Sequence, residues 1–187
     1  MLLSLLLWAC DKPIKNDTSV EEVVEVEESP IYWEEDDCSY NGGDHICNLS
    51  LPTADGESDD LYSHYGEVII IDVSAMWCGP CQEAAWNSNS INVMTDGVTW
   101  ITVLIENLEG ESPTQEDGEL WGDYFGIWHN EVWLGSSDNR DPEGLTGFAN
   151  TGWPYFLILD KDLRIRTVQT GWNKEELILQ IESLKAE

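Results

Sequence analysis

Positive charge is what this chain has least of: Lys and Arg number 8 against 37 Asp and Glu, for a formal net charge of -29. A field of that sign repels nucleic-acid phosphates and anionic lipid surfaces alike, so neither is a partner reached through general electrostatics. Long hydrophobic runs are missing too. The longest, Met1 to Ala9, is about half of the roughly 20 apolar residues that a membrane-spanning helix needs. Cysteine is sparse: Cys10, Cys38, Cys47, Cys78 and Cys81 make an odd set with one tight pair. That is too few for a disulfide framework, and the tight pair lacks the second ligand pair of a zinc ribbon. What remains is ample for a core, because 42% of the 187 residues are hydrophobic, enough for one domain of about 150 residues plus some non-globular sequence.

The ends of the chain divide by composition. Leu7, Ala9 and Cys10 follow an apolar stretch and resemble a bacterial lipoprotein signal over residues 1–9, in which the cysteine becomes the lipidated first residue of the mature protein. Trp8 departs from that pattern, as do the shortness of the leader and the lack of Lys or Arg before Cys10. Either translation starts upstream of Met1, or Cys10 is an ordinary thiol. Residues 10–37 read as a disordered acidic tether: from Asn16 to Asp37 there are ten acidic residues and no basic one, and like charges keep such a segment extended. Cys38 and Cys47 then bracket Asn41, Gly42 and Gly43, turn formers that let the chain fold back, so a local disulfide is expected if the protein is exported. A redox pair or a metal site with His45 is the alternative use of these two cysteines.

From Leu49 onward the pattern is globular. Val68 to Val73 is an apolar, β-branched run interrupted only by Asp72, as expected of a strand buried on both faces. Val98 to Ile105 is a second strand. Ser112, Pro113 and Gln115 announce a helix, with Ser112 as its cap, that carries Leu120, Trp121, Tyr124 and Phe125. Phe156 to Leu159 and Ile165 to Thr170 make a hairpin across Asp160 to Leu163. Asn173 and Glu176 start a last helix with Leu177, Ile178, Ile181 and Leu184 on one face. Strand alternating with helix predicts an α/β domain around a mixed sheet over residues 38–187.

The chemistry lies between the first buried strand and a stretch, Gln82 to Ser90, that can be helical: Trp77-Cys78-Gly79-Pro80-Cys81. Two thiols three positions apart at a helix start can close a small disulfide ring, and the first lies where unpaired N–H groups stabilise a thiolate. Cys78 is thus the attacking sulfur, and Cys81 is placed to resolve the mixed disulfide that results. Asp72 is a carboxylate in an apolar strand, a setting that raises its pKa and suits a proton acceptor.

These segments resemble the thioredoxin superfamily, in particular its extracytoplasmic redoxin branch of TlpA-like thiol-disulfide proteins, over about Asn48 to Glu187. Leu49-Ser50-Leu51-Pro52-Thr53-Ala54-Asp55-Gly56 resembles the hairpin that opens that branch's domain. Ile69 to Cys81 resembles its strand and active-site loop, and Trp153-Pro154-Tyr155-Phe156-Leu157-Ile158-Leu159-Asp160 its cis-proline segment. The resemblance implies a thioredoxin fold, a central mixed sheet flanked by helices, here with an N-terminal extension and an insertion at 106–150. It implies a cis Pro154 and a Trp153 backbone facing the cysteines and open to an extended substrate. It also implies that Asp72 assists deprotonation of Cys81. The activity implied is disulfide exchange with protein thiols and an unidentified redox partner, needing no organic cofactor or metal in the catalytic step beyond the Cys78–Cys81 disulfide. The place implied is extracytoplasmic, periplasmic and membrane-bound only through a lipid at Cys10.

Two other readings use the same thiols. A peroxidase-type redoxin would need one low-pKa cysteine, and a metallochaperone would bind metal through the pair and a histidine. The chain also departs from its relatives, with Gln82 where they carry a cation after the second cysteine and Trp86 where they carry a helix-kinking proline. Loss of that cation, with Glu83 alongside, weakens thiolate stabilisation. Cys78 should therefore titrate closer to neutrality than in oxidising relatives; an alkylation-rate profile against pH with its midpoint below about 5 would overturn this.

Overall fold

The computed structural model describes Trp33 and residues 37–94 and 97–186. Cys10, the leader at 1–9 and nearly all of the tether lie outside the described residues. Trp33, which composition assigned to the tether, packs against the domain: its ring stacks on His45 at 4.2 Å and meets Tyr62 edge-on at 5.4 Å. An indole amid acidic residues has more to gain from an apolar surface than from solvent, so contact with the domain begins before Cys38.

A hairpin, β1 (Ser50–Pro52) with β2 (Ser58–Asp60), opens the fold, followed by β3 (Val68–Ala75), α1 (Gly79–Met94), β4 (Val98–Glu106), α2 (Gln115–Phe125), β5 (Val132–Leu134), β6 (Tyr155–Leu159), β7 (Ile165–Thr170) and α3 (Lys174–Lys185). The five longer-range strands form one sheet in the order β5-β4-β3-β6-β7. β3, β4 and β5 run parallel, joined by crossovers through α1 and α2, while β6 and β7 run antiparallel. β3 is therefore central and buried at every position, which is why it reads as a continuous apolar run rather than an alternation. β7, at the edge, alternates: Ile165 is buried and Thr167 and Gln169 half-buried, with exposed residues between them.

The two faces of the sheet are covered differently. Val68, Ile70, Trp100, Phe156 and Ile158 pack against Ala84 and Ile91 of α1 and Leu177, Ile181 and Leu184 of α3. The opposite face, with Ile69, Ile71, Val73, Val103 and Leu157, is covered without an α-helix by Tyr40, Ile46, Phe148, and Leu61 and Tyr62 of a short 3-10 turn. The Cys38–Cys47 disulfide, with Cα atoms 4.9 Å apart, anchors the first part of this cover. Segment 106–150 supplies both α2 and the edge strand β5, with Trp133 and Phe148 fully buried, so much of it is integral to the core.

The start of α2 differs from its sequence signature. Thr114, not Ser112, is the cap: its side chain accepts from the Asp117 N–H, and the Asp117 carboxylate accepts from the Thr114 N–H. This reciprocal pair satisfies donors at both positions, and Pro113 ends as the residue before the cap rather than the first residue of the helix. α3 starts at Asn173 as expected, with the Asn173 side chain accepting from the Glu176 N–H.

The disulfide closes a short loop, so its removal should be felt through the unfolded chain. The double substitution Cys38→Ser/Cys47→Ser is expected to cost about 2–3 kcal/mol, read as a lower urea midpoint at unchanged slope. An unchanged midpoint would show that the loop cover holds without it.

Candidate active site

β3 ends in a turn in which the Met76 N–H donates to the Glu106 carbonyl at 2.9 Å and the Cys78 N–H to the Ala75 carbonyl at 3.1 Å. α1 begins at Gly79, and the Cys78 carbonyl accepts the first helical bond, from the Gln82 N–H at 3.1 Å. Cys78 thus occupies the helix cap. Cys78 and Cys81 are joined as a disulfide, and the Cys81 N–H donates to Cys78 Sγ at 3.2 Å. A donor in that position holds negative charge on Cys78 once the pair is reduced. Cys78 is 4% exposed and Cys81 fully buried, so an incoming sulfur meets Cys78 first. Gln82, where a cation was missed, has its amide donating to the Met76 carbonyl at 2.8 Å, which ties the first turn of α1 to the loop before it. α1 runs unbroken through Trp86.

Trp77 stands half-exposed beside Cys78 and meets Trp153 edge to face, ring centroids 6.2 Å apart. Trp153–Pro154 is a cis peptide bond, as expected, and Trp153 packs against the cluster that contains both cysteines. Two residues that the sequence reading passed over hold this pair. Glu106, at the end of β4, accepts from the Trp77 indole N–H at 2.8 Å. Arg140 lies 3.9 Å from the Glu106 carboxylate, places its guanidinium 5.4 Å from the centre of the Trp153 ring, and donates to Asn150 at 2.8 Å. Residues 29 or more positions from Trp77 leave no spacing signature; only the parallel β3–β4 pairing brings Glu106 there. Among the described residues no group of three His, Cys, Asp or Glu side chains is arranged to hold a metal ion. His45, His64 and His129 each contact different partners: Arg164, Asp59 and Asp123.

No protein-family model matches the chain, and no curated protein matches it. Solved structures do. The thioredoxin domain of a thiol-disulfide oxidoreductase from Bacteroides vulgatus is 16% identical with a TM-score of 0.62, covering 76% of this chain and 96% of its own. A thiol:disulfide interchange protein from Bacteroides sp. is 17% identical with a TM-score of 0.61, covering 79% and 91%. A secreted Mycobacterium tuberculosis disulfide oxidoreductase homologous to E. coli DsbE is 14% identical with a TM-score of 0.55, covering 73% and 96%. The chain has the thioredoxin fold. At these identities the likeness is one of architecture, and the chemistry rests on this chain's own residues.

Within that fold Asp72 sits on the central strand under α1, fully buried, in register with Thr102 of β4 and Phe156 of β6. Burial raises its pKa to about 7. The Ser74 hydroxyl, donating to Oδ1 at 2.6 Å, pulls the other way. The Trp100 indole pulls with Ser74, although its N–H falls short of hydrogen-bond geometry. Oδ2 has no hydrogen-bond partner among the described residues. The folded protein therefore keeps the proton that the unfolded chain releases near the ordinary carboxyl range of about 4, and stability is lost as pH rises from there to about 7. Asp72→Asn removes that loss. Its stability relative to the parent, from urea midpoints at pH 4 and pH 8, should shift in its favour at the higher pH by up to about 1.4 kcal/mol per pH unit in between; a difference constant with pH would show that Asp72 ionises normally.

Proposed function

We propose that the protein is a thiol-disulfide oxidoreductase that exchanges disulfides with protein substrates through Cys78 and Cys81. The observation that carries this reading is the pair itself: two bonded cysteines at the cap and first turn of α1, the first retaining a small exposure of 4% and the second fully buried. In the reducing direction the Cys78 thiolate attacks one sulfur of a substrate disulfide, forming a mixed disulfide and releasing the other sulfur as a thiolate. Cys81, deprotonated, then attacks Cys78 Sγ, closes the Cys78–Cys81 disulfide and releases the second substrate thiolate. Two electrons pass to the substrate, and the two dithiol protons end on its thiols. The oxidising direction is the same sequence reversed.

Asp72 is the acceptor for the Cys81 proton in this proposal, since a carboxyl held near neutrality takes and returns a proton at working pH. Trp77, Gly79, Pro80, Trp153 and Pro154 form the contact surface beside Cys78. The thiol:disulfide exchange proteins among the structural neighbours, one of them secreted, support an extracytoplasmic place. Lipidation at Cys10 would tether the domain there.

Substitution separates the two sulfurs. Cys81→Ser should accumulate a covalent mixed disulfide with a disulfide-bonded protein substrate, seen as a mass adduct, while Cys78→Ser should form none and lose exchange to background. Adducts on Cys78→Ser would overturn the assignment. Thiol trapping across a redox buffer series gives the direction. A couple near -270 mV marks a reductant and one near -120 mV a disulfide donor.

A further inference from the structure

Beside the cysteine loop, on the side of α2, lies an open apolar groove of about 250 Å³. Its floor is Met76, Trp121 and Phe125, all buried, and its walls include Leu108, Leu120 and Tyr124, each more than half exposed. Trp86 of α1, also more than half exposed, extends the same surface through ring contacts with Tyr124 at 5.4 Å and Phe125 at 5.1 Å. Four large apolar side chains left in solvent on one surface mark a place where something docks. The groove is continuous with the proposed reaction centre: Met76 is two residues before Cys78, and Gln82 in the first turn of α1 lines it too.

The rim carries one sign of charge. Glu116 lies one turn before Leu120, Glu83 one turn before Trp86, and Glu109 and Glu111 follow Leu108. No Lys or Arg occurs anywhere between Lys15 and Arg140, so every element that builds the groove comes from a stretch without a cation. Two cations from later in the chain are already engaged: Lys174 of α3 donates to Asn87 of α1 at 2.7 Å, and Arg140 is held by Glu106 and Asn150. A second copy of this chain, at a net charge of -29, and the chain's own acidic segment before Cys38 are both repelled by such a rim.

We infer that this groove receives an extended segment of the substrate polypeptide that carries a bulky apolar side chain flanked by Lys or Arg, a few residues from the cysteine that Cys78 attacks. The inference rests on the dithiol reading and names the substrate class that the same site selects. The apolar side chain takes the place of water over Trp121 and Phe125, the flanking cations pair with Glu83 and Glu116, and the substrate sulfur is brought to Cys78 already oriented.

The test uses the full-length reduced chain and short peptides whose single cysteine is joined to thionitrobenzoate. Attack by Cys78 on the peptide sulfur releases the coloured anion, and closure by Cys81 then frees the peptide thiol. Each rate is divided by that of the same peptide with a small free thiol, which removes intrinsic reactivity. A peptide with Leu between two Lys should react about tenfold faster than one with Ser in place of Leu, the order of preference that burial of one such side chain supplies. Replacing its Lys residues by Glu should slow it, by a factor that shrinks with added salt. In Leu120→Ser/Tyr124→Ser the Leu-over-Ser ratio should fall toward one, and Glu83→Gln/Glu116→Gln should narrow the Lys-over-Glu ratio. No Leu preference in the parent chain, or a preference unaltered in the groove variant, overturns the inference. So does sedimentation showing a dimer that Leu120→Ser dissociates, which assigns the groove to a second copy. Failure of the dithiol reading looks different: the parent chain then fails to reduce hydroxyethyl disulfide as well.

Discussion

The pairing of β3 with β4 in parallel is the constraint on which the rest of this structure depends. Because β3 is buried on both faces and ends at Ala75, the chain must turn out of the sheet there, and α1 must start within a few residues to cross back over it. That geometry puts Cys78 at the helix cap and Cys81 one turn inward. The same pairing carries the end of β4 alongside, so that the Glu106 carbonyl receives the Met76 N–H and its carboxylate receives the Trp77 indole. The cysteine loop is therefore held from two strands, not one.

Much of this was legible in the residues because the signals are local. A continuous β-branched run, a Cys-x-x-Cys directly after it, a two-cysteine loop with Asn-Gly-Gly between, and an Asn-x-x-Glu before an amphipathic stretch each state their structure within a dozen positions. The cis bond at Pro154 was legible only by resemblance. What was hidden is what requires tertiary placement. Arg140 reaches Trp153 and Glu106 because Phe148 and the turn at Ser137–Asn139 fold segment 106–150 back against the sheet. The cap of α2 lies at Thr114 rather than Ser112 because Thr114 and Asp117 satisfy each other's backbone N–H groups, a pairing that periodicity does not reveal. Trp33 was counted with its acidic neighbours, since composition averages over a segment while a single indole packs on its own account.

Charge shapes the site more by scarcity than by placement. With Arg140 engaged by Glu106, what meets Cys78 Sγ among the described residues is the Cys81 N–H at the start of α1. Among the described residues Asp72 meets no cation either, and burial raises the pKa of its carboxyl.

The asymmetry of the two sheet faces has a consequence for where such a protein can persist. One face is sealed by two helices whose hydrogen bonds are internal to them. The other is sealed by loop segments, the first of them stapled by the Cys38–Cys47 disulfide. Strong reductant would cut that staple, and the stability lost would fall first on the loop-covered face, along Ile46, Leu61 and Tyr62. Surroundings that keep the staple closed are also the ones in which the Cys78–Cys81 pair has disulfides to meet, so the fold carries in its own cover a dependence on the redox poise of its compartment.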